Sequence, residues 1–366
     1  MEDLTLLNKL QRAIEQFQGT KEEEEKFFLT NYIGNLYNSF GEMEQINCDE
    51  IFINPSNFKD YRKKEKEYNY RLLEEFVLTK SFHKDYLSKI IEEIDTHYQE
   101  LVPLTIVGED GTLTEKEFKE VLFLYLKSIH LEKKFDFLNI HFIKESYDDG
   151  YALYNPLTKD IDLFLNDFFY NLYSMEVLVH ELGHAYDFAH FSGNVGDYNA
   201  YTYLTFYTEV LSMTLERNFL HFLLENGIKE NATKKQFIYF ENLSYDLLET
   251  SYLWTLLDNN VLFSKSEKEK ENVLIAKAKE VGFSNSSVFN TLQTYDFFQI
   301  YNYCYGDILS MFLEEEIKKN GLTSDLVTSF MNKRYSIPLE EFLTTNDLSP
   351  KRYQKLYQQE ITLIKK

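Results

Sequence analysis

A chain of 366 residues, 44% hydrophobic and 16% aromatic, carries enough apolar material for one multi-lobed unit or two domains. Its 38 Lys and Arg against 60 Asp and Glu leave a net charge of -22, which excludes the basic face that nucleic-acid binding requires. No apolar run approaches the ~20 residues needed to span a bilayer, and Met1-Glu2-Asp3-Leu4-Thr5 lacks a basic region followed by an apolar core. A soluble cytoplasmic protein without a signal peptide is therefore expected.

In chain order, helical periodicity runs through residues 4–17, 22–37, 68–101 and 114–129, and Thr114 with Glu117 spells a capping box at the start of the last. The acidic run Glu22, Glu23, Glu24 and Glu25 reads as solvated helix surface, and Gly108 to Gly111 as a break. Alternating residues at 141–143, 151–154 and 161–165 predict a small antiparallel sheet, with Asn155-Pro156 turning between its last two strands. Helices resume at 172–191 and 198–226, and later ones are expected at 235–262, 266–281, 287–320 with a break near Thr294, and 350–364. The fold class is mainly α with that small sheet. Cys48 and Cys304 are too far apart in sequence to suggest a disulfide framework.

The chemistry is concentrated at His180-Glu181-Leu182-Gly183-His184. On a helix the two histidines fall at i and i+4 on one face and reach one zinc ion, while the glutamate between them stands beside it as a base for water. Met175, Val177, Leu178, Val179 and Leu182 make this a buried helix, where His and Glu are costly without a compensating partner such as a metal. Gly183 weakens a helix by roughly 1 kcal/mol relative to Ala, so it implies close packing against another backbone.

Two histidines leave the ion short of a protein ligand. One source is Glu209, 25 residues beyond His184, with Ser212 and Glu216 following at i+3 and i+7 on the same helix face. Glu209 then ligates, and Glu216 sits one layer back to hydrogen-bond a ligand imidazole or a neighbouring backbone group. The other source is His190, since His180, His184 and His190 match the three-histidine spacing of metzincins. That spacing needs a sharp turn after the second histidine, usually at Gly, and here the position is Asp187. If the helix continues instead, His190 is rotated about 240° from His184 at about 100° per residue. Glu209 is the favoured ligand.

His-Glu-x-Gly-His followed by Glu209-x-x-Ser212-x-x-x-Glu216 resembles the thimet oligopeptidase and oligoendopeptidase F family of zinc peptidases, which are gluzincins. The family usually flanks that serine with Pro and Gln, where this chain has Leu211 and Met213. Phe298-Gln299-Ile300-Tyr301-Asn302-Tyr303-Cys304-Tyr305-Gly306 is similar to the family's downstream segment, whose tyrosines lie over the zinc. Asp149-Gly150-Tyr151-Ala152 and Ile161-Asp162-Leu163-Phe164-Leu165-Asn166 resemble its cleft-lining strands. The family also places a histidine some nine residues before the first of those tyrosines, where this chain has Leu292.

The resemblance implies a zincin-like two-lobed architecture, with a helical lobe over residues 1–125, a catalytic lobe over 126–366, and short peptides as substrates. His180, His184 and Glu209 would hold one Zn²⁺, Glu181 would act as base, and Tyr301 would donate to the developing oxyanion, with Tyr303 and Tyr305 as substitutes that bind substrate. An extended peptide would add to the strand carrying Leu163, and basic peptides would be favoured only if part of the acidity lined the cleft. A gluzincin carboxypeptidase, or a non-catalytic zinc-stabilised peptide-binding protein, are the alternatives; retention of Glu181 argues against the latter.

Overall fold

The computed structural model describes residues 2–38, 55–101, 111–131, 139–143, 149–166, 168–322, 327, 329–331 and 338–366. Cys48 and the expected break at Gly108 lie outside them. The fold is mainly helical with one three-stranded sheet. Two compact units interleave along the chain: residues 1–72, 133–169 and 184–205 form one, and 73–132, 170–183 and 206–366 the other. The expected division at residue 125 does not coincide with the bounds of these units.

In the first unit, helices α1 (Glu2–Gly19) and α2 (Glu23–Asn38) pack together and, through Phe28, Leu29 and Leu36, share a core with Leu153, Phe164 and Val195. The sheet holds β1 (Asn139–Ile143), β2 (Gly150–Asn155) and β3 (Asp160–Asn166) in the order β1-β3-β2. It is mixed rather than antiparallel: β2 pairs antiparallel with β3, but β1 pairs parallel with it. Short connections read as a meander in sequence, yet β3 is the central strand, paired on both edges, and its residues 161–165 are buried. Asp162 is buried on β3 and accepts from Lys9 Nζ at 2.6 Å and His141 Nε2 at 2.9 Å. Helix α6 (Val195–Leu204) starts on an Asn194/Asp197 capping box.

Helix α3 (Pro55–Tyr98) and helix α5 (Leu172–Ala189) pass from one unit into the other. The second unit adds α4 (Glu115–Ser128), which has the expected Thr114/Glu117 capping box, then α7 (Val210–Glu225) and α8 (Glu230–Thr255). It continues through α9 (Asn259–Ser264), α10 (Glu267–Val281), α11 (Asn285–Thr294) and α12 (Phe297–Asn320). Helices α13 (Leu339–Thr345) and α14 (Pro350–Lys365) close it. The expected single helix over 198–226 is two, because Thr205 is extended and its hydroxyl donates to the Tyr201 carbonyl at 2.8 Å, ending α6. Phe206 and Tyr207 are then buried, and Glu209 becomes the residue that opens α7.

One buried ion cluster locks α7 in place. Arg217, fully buried, pairs with Glu241 on α8, Asp307 on α12 and Glu360 on α14, and its Nε donates to Ser310. A guanidinium taken out of water is tolerated only with partners of this kind. Among the described residues no helix is long and apolar enough to cross a membrane.

Candidate metal centre

Helix α5 carries His180, Glu181 and His184, and being continuous it fixes the two histidines one turn apart. Glu181 is buried at 4% exposure, while both histidines are half-buried. Gly183 makes the approach of α7 feasible. A Cβ there would lie 2.4 Å from Ser212 Cα and 2.6 Å from the Leu211 carbonyl oxygen, so only glycine fits.

That approach delivers three groups from α7. Glu209 Oε2 lies 3.3 Å from His180 Nε2. Ser212 Oγ lies 2.9 Å from the Glu209 carbonyl oxygen and 3.1 Å from Glu209 Oε2, so its one proton is shared between them. Glu216 Oε2 accepts from His180 Nδ1 at 2.8 Å, which turns Nε2 toward Glu209 as the nitrogen that would meet an ion. One donor atom from each of His180, His184 and Glu209 lies within 4.8 Å of the others.

This donor set fits zinc. Tetrahedral bonds of about 2.0–2.2 Å place neighbouring ligand atoms roughly 3.3–3.6 Å apart, and the His180–Glu209 separation is 3.3 Å. The electrostatics agree, because burial opposes a cation on His180 while hydrogen bonds to Glu209 and Glu216 reverse that, holding its pKa well above the ordinary histidine value. Carboxylates that hold a proton there would favour a divalent cation more strongly. His190 stands apart: it is exposed, its Nδ1 donates to the Tyr186 carbonyl at 2.8 Å, and the helix runs through Asp187 without the turn a third histidine needs.

Sequence reasoning missed Glu176, one turn before His180. Burial, then the charge of Glu216 and a hydrogen bond to it, raises its pKa well above the ordinary carboxylate range. The signal was present, since a glutamate between Met175 and Val177 on a buried helix lies at i-4 from His180.

The tyrosines of α12 are sorted by helical phase. Tyr301 and Tyr305, at i and i+4, share one face, where the Tyr301 hydroxyl donates to the Ser251 carbonyl at 2.7 Å and Tyr305 hydrogen-bonds His83 Nδ1 at 2.6 Å. Both are fully buried, so the expected catalytic position for Tyr301 is corrected: its hydroxyl is engaged in the core. Tyr303 and Gly306, at i and i+3, share another face. A Cβ on Gly306 would lie 2.9 Å from Glu209 Cβ, so this face meets the opening of α7. The charge of Glu209 is the largest influence raising the Tyr303 pKa, followed by burial, Tyr295 and then Glu181. Leu163 is corrected too. It lies fully buried on the central strand, paired with Ile140 on one side and Ala152 on the other, so β3 has no free edge for a peptide. Leu292 lies on α11.

The fold is shared with a crystal structure of a "putative oligoendopeptidase F" from Bacillus anthracis str. Ames, at TM-score 0.51 and 14% identity, over 96% of this chain and 68% of that one. A "putative peptidase" from Chlamydophila abortus aligns at TM-score 0.43 and 12% identity, over 99% of this chain and 64% of that one. No protein-family model and no curated sequence matches the chain.

Proposed function

We propose that this chain is a zinc metallopeptidase that hydrolyses peptide bonds in short peptides. The observation that carries the reading is the convergence of His180, His184 and Glu209, with Glu216 on the far nitrogen of His180 and Glu181 on the same helix. When bound, zinc would polarise the scissile carbonyl and make water a stronger acid. Glu181 takes a proton from the attacking water as its oxygen bonds to the carbonyl carbon, and hands it to the amide nitrogen as the C–N bond breaks. Tyr303 donates a hydrogen bond to the carbonyl oxygen as it gains charge. Glu216, backed by Glu176, keeps His180 in the orientation and tautomer that ligation needs.

The test separates binding from chemistry. Wild-type protein loaded with zinc should cleave members of a mixed peptide pool, read by mass spectrometry, and Glu181→Gln should keep one zinc per chain yet lose nearly all cleavage. Glu209→Ala should lose zinc, whereas His190→Ala should retain it. Tight zinc binding with no cleavage of any peptide by the wild-type protein would replace this reading with a non-catalytic, zinc-stabilised one.

A further inference from the structure

Resting on the peptidase reading, we propose that the groove formed by α10, α11 and the start of α12 holds a cationic side chain, Arg or Lys, of the bound peptide. The groove encloses about 730 Å³ within the second unit. Its wall is apolar: Trp254 and Phe297 pack at 4.8 Å between ring centroids, Leu292 is half-buried, and Phe289 is 44% exposed. Its rim is acidic. Glu267, Glu271 and Asp296 line it against a single ammonium, that of Lys268. Lys270 pairs with Glu267 at 2.7 Å and Asp296 Oδ1 caps α12 by accepting from Gln299 N at 2.9 Å, which leaves Glu271 as the rim carboxylate for an incoming cation.

Aromatic wall and acidic rim together select the occupant. The methylene stem of Arg or Lys covers Phe289 and Leu292 while its charged head reaches Glu271, whose Oε1 is oriented by Gln293 Nε2 at 3.1 Å. A neutral aromatic side chain would fill the wall but strip water from the carboxylates without replacing its hydrogen bonds. An anionic one would be repelled.

The groove adjoins Tyr303 through one aromatic contact. Tyr295 lines it and its ring lies 5.4 Å from that of Tyr303, the phenol under the field of Glu209 and Glu181. A peptide reaching the metal centre past Tyr303 would therefore present a neighbouring side chain to the groove. Leu292 contributes apolar wall at the position where the family resemblance expects a histidine, which shifts that position from polar contact to side-chain packing.

Trp254 is the chain's single tryptophan, so its fluorescence reports on the groove. In zinc-loaded Glu181→Gln protein, where the peptide survives, a blocked alanine pentapeptide with central Arg is titrated against the same peptide with citrulline, the neutral isostere. The expected result is a Trp254 signal with at least tenfold tighter binding of the Arg peptide at low salt, an advantage that shrinks as salt is added and disappears in Glu271→Gln, whose fold is checked by circular dichroism. Equal affinity for the two peptides, or an Arg preference untouched by Glu271→Gln, overturns the proposal. So does binding seen by calorimetry with no change at Trp254. Cleavage by the wild-type protein is scored separately on neutral peptides: a groove that prefers Arg in a protein that cuts nothing upholds this inference and removes the peptidase reading, and the converse result removes this inference alone.

Discussion

Tyr301 and Tyr303 differ by two positions on one helix, and about 200° of rotation separates their roles. Tyr301 is committed to the Ser251 carbonyl, whereas Tyr303 stands on the face that meets Glu209. Tyr303→Phe should therefore lower kcat by about 10²–10³, the usual effect of losing one oxyanion donor, with little change in KM. Tyr301→Phe should leave kcat within about threefold and instead cost about 1–3 kcal/mol of stability, because the buried Ser251 carbonyl loses its donor. Steady-state kinetics and urea unfolding on both variants check the pair of outcomes. The motif segment made the tyrosines visible, but choosing among them required Gly306, whose missing side chain marks the face that touches α7. The pairing of His180 with His184 as candidate ligands was readable because i,i+4 spacing on a helix is geometry already present in the sequence. Glu216 was readable for the same reason, as a residue two turns along from Glu209 on one face.

Elements were legible where a periodic pattern had a local stop signal. The capping box at Thr114 and the break before α12 are of this kind. The break between α6 and α7 was hidden because residues 205–209 interrupt the helix without Gly or Pro, through burial of Phe206 and Tyr207, a tertiary effect. Strand order was hidden likewise, since β1 pairs with β3 rather than with β2, its neighbour in sequence. The Gly183 approach, by contrast, was announced by a helix-weakening residue inside a helix. Its consequence can be measured: Gly183→Ala gains about 1 kcal/mol of helix propensity but forces a methyl into the backbone of Ser212, and overpacking of that kind costs about 1–3 kcal/mol or more. Thermal unfolding should show net destabilisation, and zinc analysis a reduced occupancy, because α7 must retreat and carry Glu209 with it. An Ala variant as stable and as zinc-loaded as wild type would mean that the α5–α7 approach is looser than 2.4 Å implies.

At the scale of the whole molecule, composition showed a large acidic excess but could not say where that charge sits. The interleaved units were equally out of reach, because long-range contacts and not a linker define them. One buried carboxyl shows what the acidity costs. Glu249 on α8 is 7% exposed, and burial first, then the charges of Asp246 and Asp95, push its pKa from 4.5 up to about 7. Asp95 is held there by Tyr245, whose hydroxyl donates to it at 2.9 Å. Between pH 4.5 and 7 the folded state keeps a proton that the unfolded state has released, so stability falls as pH rises through that window and the full penalty applies above it. Glu249→Gln keeps the shape and removes the charge. The variant should match wild type at pH 4 and exceed it by about 1–3 kcal/mol at pH 8, with the difference growing between those limits in urea unfolding followed as a function of pH. A constant difference across the range would place the effect in packing rather than in ionisation, and a variant less stable at pH 8 would mean that the ionised carboxylate has a partner stronger than the repulsion from Asp246 and Asp95.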